Sequence, residues 1–305
     1  MAAMGFHSCG SIDEARRQAT AALAAQRALL AQDRRPLVVR NAARAQQYLG
    51  AIRALQGELA AAEHDFDEAH ESIARLARLD PENISLQWDA VNLDFEKGRL
   101  LILSGRYAEA PARLQPALAL YAKQPEDDSG PGLGLLHAWL GEMHFALRNY
   151  PEALRAYQKS ADVIGKDAQY DDARCGVAAD YARIGDALLR LNRLEEAGRA
   201  YARALAAANE PFSLAHGDVP ALYPIAAAQA GIGDLAMALA HRSPGRTERV
   251  RHLAEACASY QQSIDTWRRI GQPALFSPSQ FPAAGPRGLG DRLATCRAAV
   301  QRGAE

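Results

Sequence analysis

Few residues in this sequence have types and spacings that could support catalysis or cofactor binding. The segment Gly231–Ala236 reads Gly-Ile-Gly-Asp-Leu-Ala and fits the glycine-rich fingerprint of dinucleotide-binding proteins. That fingerprint must follow a β-strand, whereas Pro224–Gln229 is rich in alanine and predicts a helix. Gly130, Gly132 and Gly134 alternate, but no Gly-Lys-Ser/Thr sequence follows them to hold a phosphate. We therefore expect no nucleotide and no other cofactor.

Two histidines have a spacing that could serve a metal ion. His137 and His144 lie seven residues apart, close to two turns of one predicted helix. A zinc site needs a third and a fourth ligand, and His64 and His70 belong to a different part of the chain. We interpret His137 and His144 as core or boundary side chains, with a metal-binding pair as the alternative, and expect no metal site.

The cysteines offer little nucleophilic or structural chemistry. Cys9, Cys175, Cys257 and Cys296 show neither Cys-x-x-Cys spacing nor the pattern of a disulfide framework, so we expect thiols in a reducing compartment. Cys175 follows Arg174, whose positive charge favours a thiolate, but one adjacent basic residue is little support for a nucleophile. The chain also lacks a Gly-x-Ser-x-Gly elbow and the motifs of a protein kinase. We expect that the protein is not an enzyme.

Composition and charge restrict the function classes further. Of the 305 residues, 49% are hydrophobic and 23% are charged, which excludes wholesale disorder. The formal net charge of -1 predicts no general attraction to nucleic acid or to an anionic membrane. No apolar stretch reaches 18 residues and no basic leader is visible, so we expect a cytoplasmic protein without a membrane span. Abundant alanine and only 7% aromatic residues favour closely packed helices.

A repeated pattern organises the elements that carry these residues. A glycine is followed by an alanine and, four positions after the alanine, by an aromatic or aliphatic residue. The small residues let two helices approach closely, and the large residue fills the space beside them. Turn signals separate the two helices, for example Asp65–Asp67 and Ser104–Arg106. The five predicted packing sets are Gly57, Ala69 and Ile73; Gly98, Ala110 and Leu114; Gly141, Ala153 and Tyr157; Gly185, Ala197 and Tyr201; and Gly233, Ala256 and Tyr260.

On these residues the chain resembles tetratricopeptide repeat (TPR) proteins from about residue 35 to residue 270, most specifically over 140–160. The steps between the glycines are longer than in the common repeat. Tyr181–Leu188 and Tyr260–Trp267 also resemble the long repeats that lie C-terminal to many bacterial serine/threonine kinases. The resemblance implies an all-α fold, a right-handed superhelical solenoid of about five TPR-like helix pairs with an N-terminal capping helix.

Three segments follow from this pattern. Residues 1–35 form an N-terminal segment with the capping helix, and residues 36–270 form the repeat array. Residues 271–305 form a Pro/Gly-rich segment, which we expect to wrap over the last repeat, and a short C-terminal helix. Three loops are predicted within the array, over residues 124–134, 211–224 and 241–247.

The resemblance also implies a binding surface on the concave wall formed by the first helix of each pair. The positions that face this groove are Glu58, Asn92, Phe95, Arg99, Glu142, Phe145, Asp186, Leu189, Arg190, Asp234 and Met237. Four acids against two arginines predict a mildly acidic groove that favours a basic or amphipathic segment. Only Asn92 and Arg99 could contribute to a clamp for a peptide carboxylate, so such a clamp is not expected.

The function that these observations favour is a non-catalytic scaffold or adaptor for protein–protein interaction. Its partner would be a protein or peptide in bacterial signalling, including a kinase. The alternatives are a peptide or small-ligand sensor and a detached regulatory repeat region of a kinase-like protein. The binding surface is either the groove or the loops, edges and Pro-rich tail.

Overall fold

The computed structural model describes residues 12–121, 123, 126–167, 171–208, 219–270 and 288–304. Within these ranges the chain forms twelve α-helices and no strand, so the predicted all-α class is confirmed. The helices are α1 Ile12–Gln32, α2 Pro36–Leu55, α3 Leu59–Leu79, α4 Ile84–Leu103, α5 Ala110–Tyr121, α6 Glu126–Ala146, α7 Tyr150–Ile164, α8 Asp171–Arg190, α9 Leu194–Ala208, α10 Val219–Arg242, α11 Arg246–Ile270 and α12 Leu289–Ala304.

The chain divides into two compact units. The N-terminal unit comprises the described residues from 12 to 129 and contains α1 to α5. The C-terminal unit comprises the described residues from 130 to 270 and from 288 to 304 and contains most of α6 and all of α7 to α12. From α2 to α11 the helices form five successive pairs: pairs 1 and 2 lie in the N-terminal unit, and pairs 3 to 5 lie in the C-terminal unit. The Pro-rich stretch over 271–287, with its expected wrapping, lies outside the described residues.

Four of the predicted glycines lie where a large side chain of the second helix packs against the first. A Cβ atom added at any of them would overlap that side chain, so the close helix approach depends on the missing Cβ. The alanine of each set is fully buried in the same interface. The distances from such a Cβ to the nearest side-chain atom are 2.5 Å for Gly98 and Leu114, 2.4 Å for Gly141 and Tyr157, 2.4 Å for Gly185 and Tyr201, and 2.5 Å for Gly233 and Tyr260.

The packing set predicted for pair 1 is wrong by seven residues. Gly57 lies in the turn after α2 with a φ of +81°, and no atom lies within 4 Å of the position of its Cβ. Gly50 occupies the packing position instead, where a Cβ would lie 2.9 Å from the ring of Phe66. Ala62 and Phe66 therefore take the roles predicted for Ala69 and Ile73, which are buried about two turns further along α3. The predicted turn at 65–67 lies inside α3.

The turn between the helices of pairs 1 to 4 uses one recurring backbone position. Seven residues after the packing glycine stand Gly57, Gly105, Arg148 and Asn192, each with a positive φ. This left-handed conformation ends the first helix and reverses the chain. The Leu-Gly dipeptide at 49–50, which matches the one at 140–141, and the glycine at the turn were the sequence signals that identify the correct frame.

Helix α6 begins within the loop predicted over residues 124–134. It extends from Glu126 to Ala146 despite its glycines and a proline. Gly134 is buried against α7, where a Cβ would lie 2.3 Å from Ile164. Tertiary packing therefore overrides low helix propensity, and this glycine is a packing residue and not part of a phosphate loop.

Pair 5 accommodates its additional residues by lengthening both helices. Helix α10 has 24 residues and α11 has 25, and only residues 243–245 separate them. The loop predicted over 241–247 is therefore shorter than expected. Helix α10 begins at Val219, so residues 219–224 of the loop predicted over 211–224 are helical. Residues 211–218 of that loop lie outside the described part.

One stretch of α10 has the length and apolar character of a membrane span. The most apolar 18 residues of Leu222–Arg242 have a mean hydropathy of 1.2, and 56% of this stretch is buried inside the structure. Core helices of soluble proteins have the same character, so this helix alone is weak support for a membrane location.

Cys257 and Cys296 form a disulfide bond, contrary to the expectation of separate thiols. Cys257 lies on α11 and Cys296 on α12, with 5.6 Å between their Cα atoms. Helix α12 packs along α11, and Cys296 is fully buried in this contact. The bridge spans 39 positions, so only the tertiary contact between the two helices shows the pairing. Cys175, on α8, is not part of the bridge.

The substitution Gly141→Leu should lower the free energy of unfolding by about 1–3 kcal/mol, because the new side chain would overlap the ring of Tyr157. Urea unfolding followed by circular dichroism measures this. Gly290→Leu is the matched control, since Gly290 is also helical but its Cβ would meet open space. Equal stability of the two variants would contradict the assigned packing.

Candidate functional site

A small cleft in the C-terminal unit collects several of the residues predicted to face the binding groove. It has a volume of about 60 Å³ and lies among α6, α8, α10 and the start of α12. Five of the eleven predicted residues line it: Phe145, Asp186, Leu189, Arg190 and Asp234. Leu289 and Arg292 of α12 complete its wall, together with small residues of α10. We call this site the C-terminal cleft.

The acids of this cleft follow the packing glycines for a structural reason. The hydroxyl of Tyr201 donates to Asp186 Oδ1 over 2.9 Å, and the hydroxyl of Tyr260 donates to Asp234 Oδ1 over 2.7 Å. In pairs 4 and 5 the tyrosine ring packs against the glycine, and its hydroxyl reaches the carboxylate of the residue that follows this glycine. A buried hydroxyl needs such an acceptor, so these acids stabilise the helix pairs.

Tyr201 also explains the resemblance of 231–236 to a dinucleotide fingerprint. A Cβ at Gly231 would lie 2.3 Å from the ring of Tyr201, and Gly233 faces Tyr260 of its own pair. Both glycines lie inside α10 and not after a strand. They are spaced two apart because they accommodate two different tyrosine rings.

Glu142 and Asp186 share a buried counter-ion in Arg183. Arg183 Nε lies 2.7 Å from Glu142, and its Nη1 lies 3.4 Å from Asp186. The side chains of Arg183 and Glu142 are only 5% and 11% exposed. The pair is therefore shielded from solvent. Removing one partner would leave the other as an uncompensated buried charge.

Burial alters the titration of the acids around Arg183. It raises the pKa of Asp180, a buried residue of α8, well above the ordinary aspartate value. Burial and the carboxylate of Asp234 raise the pKa of Asp186, although Arg183 and the Tyr201 hydroxyl oppose this. Desolvation penalises the charged form of each carboxyl. Asp180 belongs to the packed interior between the helices, whereas Asp186 lies at its edge and lines the cleft.

The charge of the cleft differs from the acidic groove expected from counting the predicted positions. Asp234 pairs with Arg292 over 3.0 Å, and Glu142 pairs with Arg183. Arg190 is exposed and makes no hydrogen bond or ion pair within the described ranges. The two counter-ions, Arg183 and Arg292, were not among the predicted positions, so the count omitted them. Because Arg183 is shared by Glu142 and Asp186, the three acids and three arginines at this site balance in formal charge, and Arg190 is the arginine that is not held in an ion pair with a described residue.

The other predicted groove residues are not brought to this cleft. Glu58 lies in the turn before α3 and pairs with Arg16 of α1 over 2.6 Å. Its placement in the groove followed from the shifted frame of pair 1. Met237 is half-buried on α10 and does not line the cleft.

Three predicted groove residues lie on α4 of the N-terminal unit. Asn92 and Phe95 are half-buried. Arg99 is only 6% exposed, pairs with Glu96 over 2.9 Å and lies over the ring of Phe95. A buried and paired arginine is not available to a ligand.

The histidines considered as metal ligands lie apart from such a site. Burial lowers the pKa of His137 on α6, and the neighbouring Lys159 adds to this effect. His144, seven residues further on, is also half-buried. Across the part of the chain that the structure describes, no three side chains of His, Cys, Asp or Glu are grouped to hold a metal ion.

Comparison with known proteins supports the fold alone. No protein-family model matches the chain, and no curated protein matches its sequence. The crystal structure of BtubC (BKLC) from P. vanneervenii is similar, with a TM-score of 0.50 and 17% sequence identity. The similarity covers 95% of this chain and 92% of that chain, so it extends over nearly all of both.

Proposed function

We propose that this protein is a non-catalytic scaffold or adaptor of the tetratricopeptide type, and that its C-terminal cleft binds a segment of a partner protein. The observation that carries the proposal is the convergence of Phe145, Leu189 and Arg190 from two successive first helices on one surface cleft. Apolar side chains beside an unpaired charge are typical of peptide-binding surfaces. The resemblance of the helix pairs to TPR proteins agrees with this function.

The size of the cleft favours a protein segment over a small ligand. Small-molecule sites have volumes of roughly 300–1,000 Å³, whereas this cleft has about 60 Å³. It can admit one side-chain group while the rest of a peptide lies across the surface. A sensor for a small ligand is therefore less well supported at this site.

The charges at the cleft refine the kind of segment. The carboxylates of Asp186 and Asp234 already accept hydrogen bonds from tyrosine hydroxyls, so they offer little to a basic peptide. Arg190 is exposed and has no ion pair with a described residue, so a partner can neutralise its charge, whereas the exposed Arg292 is already paired with Asp234. We therefore favour an amphipathic segment that places an apolar residue on Phe145 and Leu189 and an acidic residue near Arg190.

Affinity capture from lysate of the native cells tests this function. The wild-type chain and Arg190→Glu are compared, with Arg199→Glu as the matched control, because Arg199 is exposed on α9 outside the cleft. We expect a protein that wild type and Arg199→Glu capture and Arg190→Glu loses. With that partner purified, Arg190→Glu should weaken binding at least about tenfold, since it reverses the charge that meets the ligand. Circular dichroism verifies that all three chains are folded.

Equal capture by Arg190→Glu and wild type would remove the cleft as the binding surface. Capture of no protein by either chain would contradict the scaffold function itself. The sensor alternative would then be examined with small molecules.

A further inference from the structure

The N-terminal unit contains a second and larger concavity that the proposed function does not use. It lies between α1 and α3, both of which pack along α2, and has a volume of about 700 Å³. Arg27 of α1 and Glu68 of α3 join its two sides through an ion pair of 3.0 Å. We call this site the N-terminal groove.

The wall of the N-terminal groove is largely apolar. It includes Leu30, Val39, Leu76 and Leu79, one or more from each of the three helices. Leu76 is buried, whereas Leu79 at the end of α3 is 78% exposed. A large apolar side chain left in water beside an apolar groove marks a surface that can bury further area.

The rim of the groove carries more positive than negative charge available to a ligand. Arg34 and Arg75 line the groove and are exposed. Neither side chain forms a hydrogen bond or an ion pair with another described residue. Arg27 and Glu68 neutralise each other, which leaves Glu71 as the one remaining acid among the lining residues. A partner with acidic side chains beside an apolar stripe is complementary to this rim.

Helical walls determine which backbone conformation suits the groove. The main-chain N–H and C=O groups of α1, α2 and α3 are used within the helices, so an extended peptide would find few backbone partners there. An amphipathic helix satisfies its own backbone hydrogen bonds and presents apolar residues three and four apart. We infer that the N-terminal groove binds an acidic amphipathic helix of a partner protein, with its apolar stripe on Leu76 and Leu79 and its acidic flank at Arg34 and Arg75.

A designed peptide tests this inference on the full chain. The probe is a fluorescein-labelled, end-blocked helix of about 18 residues, long enough to match the groove helices. It carries leucine at positions i, i+3, i+4 and i+7, glutamate on the flanks and alanine elsewhere. A second peptide has every glutamate replaced by lysine. Fluorescence anisotropy measures both affinities at near-physiological ionic strength, where screening limits non-specific attraction.

We expect the acidic peptide to bind at least about tenfold more tightly than the basic one. Arg75→Glu should weaken it at least about tenfold. Arg78→Glu should not, because Arg78 is exposed on the same helix but does not line the groove. Unchanged circular dichroism and melting temperature of both variants show that an effect comes from the groove.

Equal affinity of the two peptides, or equal effects of Arg75→Glu and Arg78→Glu, would overturn the inference. Sedimentation velocity distinguishes another occupant, a second copy of this chain. A dimer that Arg75→Glu dissociates, without peptide binding, would also overturn it. Because the groove and the C-terminal cleft lie in different units, Arg190→Glu should leave peptide binding unchanged.

Discussion

Replacing Arg183 with methionine should lower the free energy of unfolding by about 3–5 kcal/mol, the largest effect expected for a single side chain here. The guanidinium lies 2.7 Å from Glu142 and 3.4 Å from Asp186 in the interior of the C-terminal unit. Methionine would fill much of the volume but leave Glu142 without this counter-ion. Urea unfolding is measured by tryptophan fluorescence in a Trp88→Phe background, because Trp88 lies in the N-terminal unit and the buried Trp139 and Trp267 then report on the C-terminal unit.

Two further variants separate the buried charge from simple loss of an arginine. Arg199→Met removes a side chain that is 67% exposed, so we expect a change within about 0.5 kcal/mol. The double substitution Arg183→Met with Glu142→Gln removes both charges and should recover part of the lost stability. If Arg183→Met is no more destabilising than Arg199→Met, the buried pair contributes nothing to folding.

This buried pair also affects how binding should be tested. The sequence alone suggests reversing Glu142 and Asp186 to lysine to probe the groove. The structure places both acids next to Arg183, so two lysines there would introduce like charges into the interior. Loss of binding in that variant would report loss of structure. Arg190 is the better probe because it is exposed.

Breaking the Cys257–Cys296 bridge should lower the free energy of unfolding by about 4 kcal/mol on the chain-entropy model, given its separation of 39 positions. The cross-link holds α12 on α11 and restricts the unfolded chain. The comparison is between oxidised wild type, reduced wild type and Cys257→Ser with Cys296→Ser, each unfolded in urea. Cys175→Ser is the matched control, since this residue lies outside the bridge.

A thiol count provides the independent readout of the bridge. Under denaturing conditions the oxidised chain, with its four cysteines, should expose two thiols, and the reduced chain should expose four. Identical unfolding curves with and without reductant, together with four reactive thiols before reduction, would contradict the disulfide. Because disulfides persist in oxidising compartments, the same count on protein taken from cells also tests the expected cytoplasmic location.

The sequence by itself determined the repeating helix pairs. The spacing of a glycine, an alanine and a large residue reflects a local packing requirement, and this spacing can be recognised in the sequence alone. Pairs 2 to 5 place these residues together, as at Gly141 and Tyr157. The packing set of pair 1 was misplaced because a glycine in a turn, Gly57, and a packing glycine, Gly50, are the same residue type in the sequence. Only the backbone angle and the neighbouring atoms distinguish the two roles.

Only the tertiary structure decided which charges are available to a ligand. Whether an acid faces solvent depends on partners that are distant in the sequence, such as Arg292 for Asp234 and Arg16 for Glu58. The same is true of the disulfide and of the N-terminal groove, since each forms between separate helices. Helix periodicity is a short-range property of the chain, whereas pairing of charges, thiols and surfaces depends on three-dimensional proximity.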